Sequence, residues 1–166
     1  MKALASISAM PIAAPAFCQS VIFSTAVTEQ CIGSLSNVRD FRKCVGEAAA
    51  TCMESMPEGW STVGMVTCLE HERQYWDGKL NLAYKRASSN AKSIDNEAVA
   101  LGSSVSSQAD ALRDMQRAWM AFSDATCSYE QSLWGGGSGG GPASVTCHMR
   151  LTAEQAIYLE PAGVGE

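Results

Sequence analysis

The chain has 166 residues, 46% of them apolar and 17% charged, with a net charge of −5. That length suits one domain, and the apolar content supplies a packed core and argues against disorder. The acidic balance speaks against a nucleic-acid binder, which needs clustered Lys and Arg, and suits a basic protein partner.

The N-terminus has the layout of an export signal. Lys2 precedes a small, apolar run from Ala3 to Ala16, and two cleavage motifs follow, Ala14-Pro15-Ala16 and Ser24-Thr25-Ala26. Residues 1–26 are therefore expected to be a signal peptide, cut after 16 or 26, with the domain over 27–160 and a mobile tail over 161–166. The apolar run is too short for a permanent membrane span, and no other segment approaches that length. Bulky Phe17 stands before Cys18 where lipid attachment wants a small residue. A periplasmic or secreted location is the expectation.

Residues 27–37 read as irregular, with Gly33 and several serines. From Val38 the apolar positions Phe41, Cys44, Val45, Ala48 and Cys52 fall at helical spacing, with Asn37 or Ser36 as the cap. Pro57 and Gly59 end that helix. The central helix is expected over about Thr62 to Ala87, its inner stripe Leu69, Arg73, Trp76, Leu80, Ala83 and Ala87. Glu70, Glu72, Asp77 and Lys79 then fall mainly on the other faces. Gly78 in mid-helix costs about 1 kcal/mol against Ala, which close packing there would offset.

Ser88 to Asn96 is polar and poor in helix formers, so it reads as a connection, with Asp95 or Ser93 capping a short helix through Leu101. A second strong helix runs from about Ser107 to Gln131, with the seam Leu112, Met115, Trp119, Phe122, Thr126 and Tyr129. Trp76 and Trp119 lie near the two midpoints and are expected to share one core. Trp134 to Pro142 is a glycine loop, flexible by composition. Thr152 with Gln155 forms a capping box for a short last helix through Leu159. No strand pattern appears. The fold class is all-α, a small disulfide-stapled bundle built on two long antiparallel helices.

Of the seven cysteines, cleavage after Ala26 leaves six, an even set that reads as a disulfide framework after an export signal. Cys52 ends one helix and Cys68 opens the next, so their bridge would staple the turn between them. Cys127 and Cys147 flank the glycine loop, and closing it is worth about 3 kcal/mol. Cys31 and Cys44 pair by elimination.

No catalytic or metal constellation stands out, so neither an enzyme nor a cofactor is expected. Gly136 to Gly140 matches G-x-S-x-G around Ser138, but that motif needs a strand before the serine and a helix after it. His71-Glu72 would open a zinc helix only with His at 75, where the chain has Tyr75. Glu70, Glu72 and Asp77 read as a solvated helix face rather than a glycosidase pair. Trp60 and Trp134 lie in loops beside glycine, where a tryptophan either folds back onto the core or stays exposed as an interface anchor. With Ser138 they form the candidate partner-binding set.

Cys68, Leu69, Glu72, Trp76, Asp77, Leu80, Asn81 and Tyr84 together resemble the first signature of the LprI-type lysozyme inhibitor domain. Gln116-Arg117-Ala118-Trp119 with Phe122, Asp124 and Cys127 resembles the second, and Cys147, Leu151 and Thr152 complete the pattern. The resemblance covers about Cys52 to Leu159. It implies an exported, disulfide-bonded helical domain of bacterial envelopes, and a basic lysozyme as protein partner, with an envelope assembly role as the alternative. Two positions depart from the family pattern. Ser123 stands where an Arg precedes the aspartate, and Gln155 where the last helix carries another. Their loss removes an ion-pair network or part of a binding face.

Overall fold

A computed structural model describes residues 23–160, so the leader through residue 22 and the tail over 161–166 lie outside the described residues. Five α-helices and one 3₁₀ segment follow in order, with no β-strand among the described residues.

The segment expected to be irregular begins with a helix, α1 (Ala26–Gly33). Buried Thr28, the Cys31–Cys44 bridge and an ion pair from Glu29 to Lys79 at 3.6 Å hold it on the body. The single helix expected from Val38 is instead two pieces. A 3₁₀ segment (Val38–Cys44) is capped by Asn37, whose side chain accepts from the Arg39 amide at 2.9 Å. The second piece, α2 (Glu47–Ser55), follows Gly46, whose φ of +99° is left-handed backbone open to glycine. That turn breaks the periodicity.

Helix α3 (Thr62–Ala100) starts at Ser61, whose hydroxyl accepts from the Gly64 amide at 3.1 Å. Its 39 residues span about 58 Å. It passes through Ser88 to Asn96, which was expected to connect two helices. Propensity there is overridden by tertiary contact. Ala91 is buried, and Asp95 serves the neighbouring helix α4 (Gln108–Ser132). The Asp95 carboxylate accepts from the Ser107 hydroxyl at 2.7 Å and from the amides of Gln108 at 2.7 Å and Ala109 at 3.0 Å. Asp95 thus caps α4 from across the hairpin, not a short helix of its own. These bonds, Ser107 first, hold its carboxyl below the ordinary aspartate range.

The last helix, α5 (Gly140–Leu159), starts far earlier than Thr152, which lies buried in its interior and caps nothing. Pro142 is tolerated because it sits in the first turn, where a backbone N–H has no helical partner. Gly141 faces Val66 near the start of α3, and Glu160 pairs with Arg86 farther along it, so α5 runs parallel to α3. Against α4 it runs antiparallel, with Cys147 bonded to Cys127 and Gln155 donating to Gln116 at 2.9 Å. The result is an up-down-up bundle in which α5 is the principal partner of α3. Past Arg86, α5 has ended and α3 and α4 continue as a projecting hairpin.

The core joins Leu69, Trp76, Leu80 and Ala83 of α3 to Met149, Ala153 and Ile157 of α5, with Trp119 packed at its side. The two tryptophans share this core. Arg73 leaves the expected stripe and pairs with Glu70 at 2.6 Å, which holds the Glu70 carboxyl below its usual range. On α4 the expected seam holds only in part. Leu112, Met115 and Trp119 face inward, but Phe122 and Tyr129 are exposed and Ser123 and Cys127 are buried in their place. The bridge to α5 at Cys127 fixes that contact face, and Ser123 lies one turn away on it. Gly78 faces open space, with nothing within 4 Å of a Cβ built there, so no close packing offsets it.

Glu72 is the main departure from an outward acidic face. It is fully buried. Its carboxylate accepts from the amides of Gly46 and Ala49, both at 2.7 Å, and from the Trp76 indole at 3.0 Å. It therefore caps the N-terminus of α2, where free amides and the helix dipole favour a negative charge. The spacing carried the signal, since position 72 lies three after Leu69 and four before Trp76 on the inner stripe. The bridges are Cys31–Cys44, Cys52–Cys68 and Cys127–Cys147, with Cα separations of 5.7, 5.7 and 5.4 Å. These are the pairs expected from sequence, two from the turn and loop they flank and Cys31–Cys44 by elimination.

Candidate functional site

Two loops lie at the same end of the bundle. The first joins α2 to α3, and close approach fixes its path. A Cβ built on Gly59 falls 1.9 Å from the Met53 carbonyl oxygen, and one on Gly64 falls 2.3 Å from that of Glu58. Only residues without a side chain allow the loop to lie this tightly on both helices. The Cys52–Cys68 bridge closes its base. Trp60 emerges from this loop 61% exposed, so it does not fold back onto the core.

The second loop joins α4 to α5, and it is less floppy than its composition suggests. Successive turns run through it: Gly135 N to Ser132 O at 3.1 Å, Gly137 N to Trp134 O at 2.8 Å, and Gly140 N to Gly137 O at 3.1 Å. Gly135 and Gly136 supply left-handed backbone at φ +55° and +84°. Trp134 lies over Gly139, where a built Cβ would fall 2.1 Å from the Trp134 ring, yet the indole remains 55% exposed. Ser138 is exposed between glycines, with no strand before it. The contact of Gly141 with Val66 brings this loop beside the first turns of α3, and hence beside the loop that carries Trp60. Exposed Val63, Tyr129 and Leu133 belong to the same end.

The remaining polar residues singled out in the sequence do not converge here. His71 stacks on Phe23 with ring centroids 5.2 Å apart, and Glu72 is committed to α2. Among the described residues no three His, Cys, Asp or Glu side chains gather as metal ligands. Tyr75 is half-buried in the body, and burial pushes its hydroxyl well above the ordinary tyrosine range. What the end offers is exposed aromatic and aliphatic surface on a stapled frame, the composition of an interface anchor.

The fold and this end of it define a small disulfide-bonded helical domain that presents aromatic loops to solvent. The chain belongs to the lysozyme inhibitor LprI family, whose sequence profile matches residues 52–159. The match encloses the bridges at both loops and leaves α1 and the Cys31–Cys44 bridge outside it. A protein of Rhodobacter capsulatus, described as an uncharacterized 17.7 kDa protein in the puhA 5′ region, is 24% identical over 143 residues, 84% of this chain and 86% of its own. No solved structure matches the chain. Ser123 and Gln155, where the sequence resemblance implies arginines, are buried in the body of the bundle. Gln155 is hydrogen-bonded to Gln116 across α4 and α5, away from the exposed loops.

Proposed function

We propose that this protein is an exported binding protein of the bacterial envelope that inhibits lysozyme. Its contact surface is the end carrying Trp60, Trp134 and Ser138, and it catalyses no reaction of its own. The observation that carries this reading is the family match across residues 52–159. The three bridges support export, because disulfides persist in oxidising compartments. No helix among the described residues is long and apolar enough to cross a membrane. Cell-wall lysis by lysozyme, followed with and without excess purified protein, tests the function. Slower lysis is the expected result, and an unchanged rate at excess protein overturns it.

Processing after Ala16 fits this reading better than processing after Ala26. Phe23 stacks on His71, and the Thr25 carbonyl accepts from the Glu29 amide at 2.9 Å, contacts that the later cut would delete. The expected mature chain begins at Phe17. An intact mass beginning at Val27 refutes this.

The alternative, an envelope assembly protein with another partner, draws on the projecting hairpin. Its tip exposes Val99, Leu101 and Val105. Normal lysis, together with envelope binding that Leu101→Asp abolishes, would favour it.

A further inference from the structure

Charge is divided along the length of this molecule. No lysine or arginine occurs from Cys44 to Glu72 or from Ala118 to Met149. These two segments build the tryptophan end. The basic residues of α3 begin at Arg73, those of α4 stop at Arg117, and α5 contributes only Arg150, which pairs with Glu130 and Glu154. Glu54 and Glu58, both exposed beside the Trp60 loop, have no ion-pair partner among the described residues.

Each component of this surface favours the same kind of partner group. An exposed indole face attracts ammonium and guanidinium groups, and a guanidinium can stack on an aromatic ring while it bonds a carboxylate. A carboxylate covered without a counter-charge is costly, so an acidic or purely apolar partner is disfavoured where a basic one supplies the missing charge. Val63 and Leu133, exposed at the same end, add apolar area around such a contact.

We infer that the tryptophan end recognises a cationic protein surface, seating arginine or lysine side chains against Trp60 and Trp134 with Glu54 and Glu58 as counter-charges. This rests on the assignment of the binding end made above, but does not require the partner to be a lysozyme.

The test measures affinity of the intact mature protein for lysozyme, for lysozyme with its lysines acetylated, and for cytochrome c as an unrelated basic protein. Each is measured at low and at physiological ionic strength. Wild type is compared with Trp60→Ala, Trp134→Ala, the double variant Glu54→Gln/Glu58→Gln, and Glu97→Gln on the far half as control. All five positions are exposed, and circular dichroism checks folding. The expected result is a loss of about tenfold for each tryptophan variant and for the double glutamine variant. Glu97→Gln should stay within about twofold, and acetylation and salt should weaken binding. If wild type binds lysozyme and all these variants match it, the recognition chemistry is overturned while the inhibitor reading survives. If wild type binds cytochrome c through Trp60 but ignores lysozyme, the recognition chemistry stands and the inhibitor reading falls. Binding to neither basic protein overturns both.

Discussion

Replacing Glu72 with alanine should be among the most damaging single changes in this fold that touches no disulfide. The side chain is fully buried and accepts three hydrogen bonds, from the Gly46 and Ala49 amides and the Trp76 indole. Alanine leaves the Ala49 amide and the Trp76 indole buried without that acceptor, and the Gly46 amide partly buried without it. Each unsatisfied donor costs about 1–3 kcal/mol, and a lost helix cap alone about 1 kcal/mol. Allowing for some relaxation and water entry, the expected loss is about 3–5 kcal/mol, a large share of the roughly 5–15 kcal/mol of a typical domain. Urea unfolding followed by tryptophan fluorescence reads this directly. At a slope of about 2 kcal/mol/M, the midpoint should fall by about 2 M with the slope unchanged. Glu72→Gln should fall between the two, because its amide keeps one acceptor but turns an N–H toward a donor. A loss under about 1 kcal/mol for Glu72→Ala would refute the reasoning and place the α2 cap elsewhere.

Gly78→Ala should stabilise the protein by about 0.5–1 kcal/mol, since the position is helical, exposed and open; a higher thermal midpoint checks it. Gly59→Ala should do the reverse, because its Cβ would meet the Met53 backbone oxygen at 1.9 Å; the expected readout is low soluble yield or a midpoint far below wild type. The Asp95 carboxyl, held down by Ser107, Ala109 and Gln108, supports the hairpin above the ordinary aspartate value of about 3.9. Its support disappears as pH falls through the depressed folded-state value. The amide resonances of Gln108 and Ala109 should therefore shift on acidification below about pH 4, and Asp95→Asn should flatten that response.

The parts of the fold that were legible in sequence are those governed by local spacing. Leu69, Trp76, Leu80 and Ala83 recur at the helical period and form the core. Cys52 and Cys68 flank one turn and Cys127 and Cys147 flank the glycine loop, so those two bridges were readable from local spacing and the third by elimination. Three features escaped because their causes lie outside their own segments. Ser88 to Asn96 is a poor helix by propensity, and Asp95 looks like a local cap until α4 is placed beside it. Thr152 and Gln155 form a plausible capping box in isolation, yet α5 packs on α3 along most of its length and runs straight through them. Glu72 sat on the inner stripe by spacing, but charge assigned it to the surface; only the free amides of α2 explain an acid in the core. At the candidate site, sequence picked out the loop tryptophans and left their exposure open. Gly59, Gly64 and Gly139 decide that exposure through contacts with Met53, Glu58 and Trp134.

The projecting hairpin is anchored unlike the rest of the molecule. From residue 87 to residue 115 there is no cysteine, and every bridge lies in the body. Its arms are joined by the Asp95 cap, with Ala91 buried on α3, so it should exchange amide hydrogens first and yield first to a protease. A cut or an inserted segment between Gly102 and Ser106 would leave the stapled body intact. That makes the turn a natural attachment point for a reporter or a tether, well away from the tryptophan end.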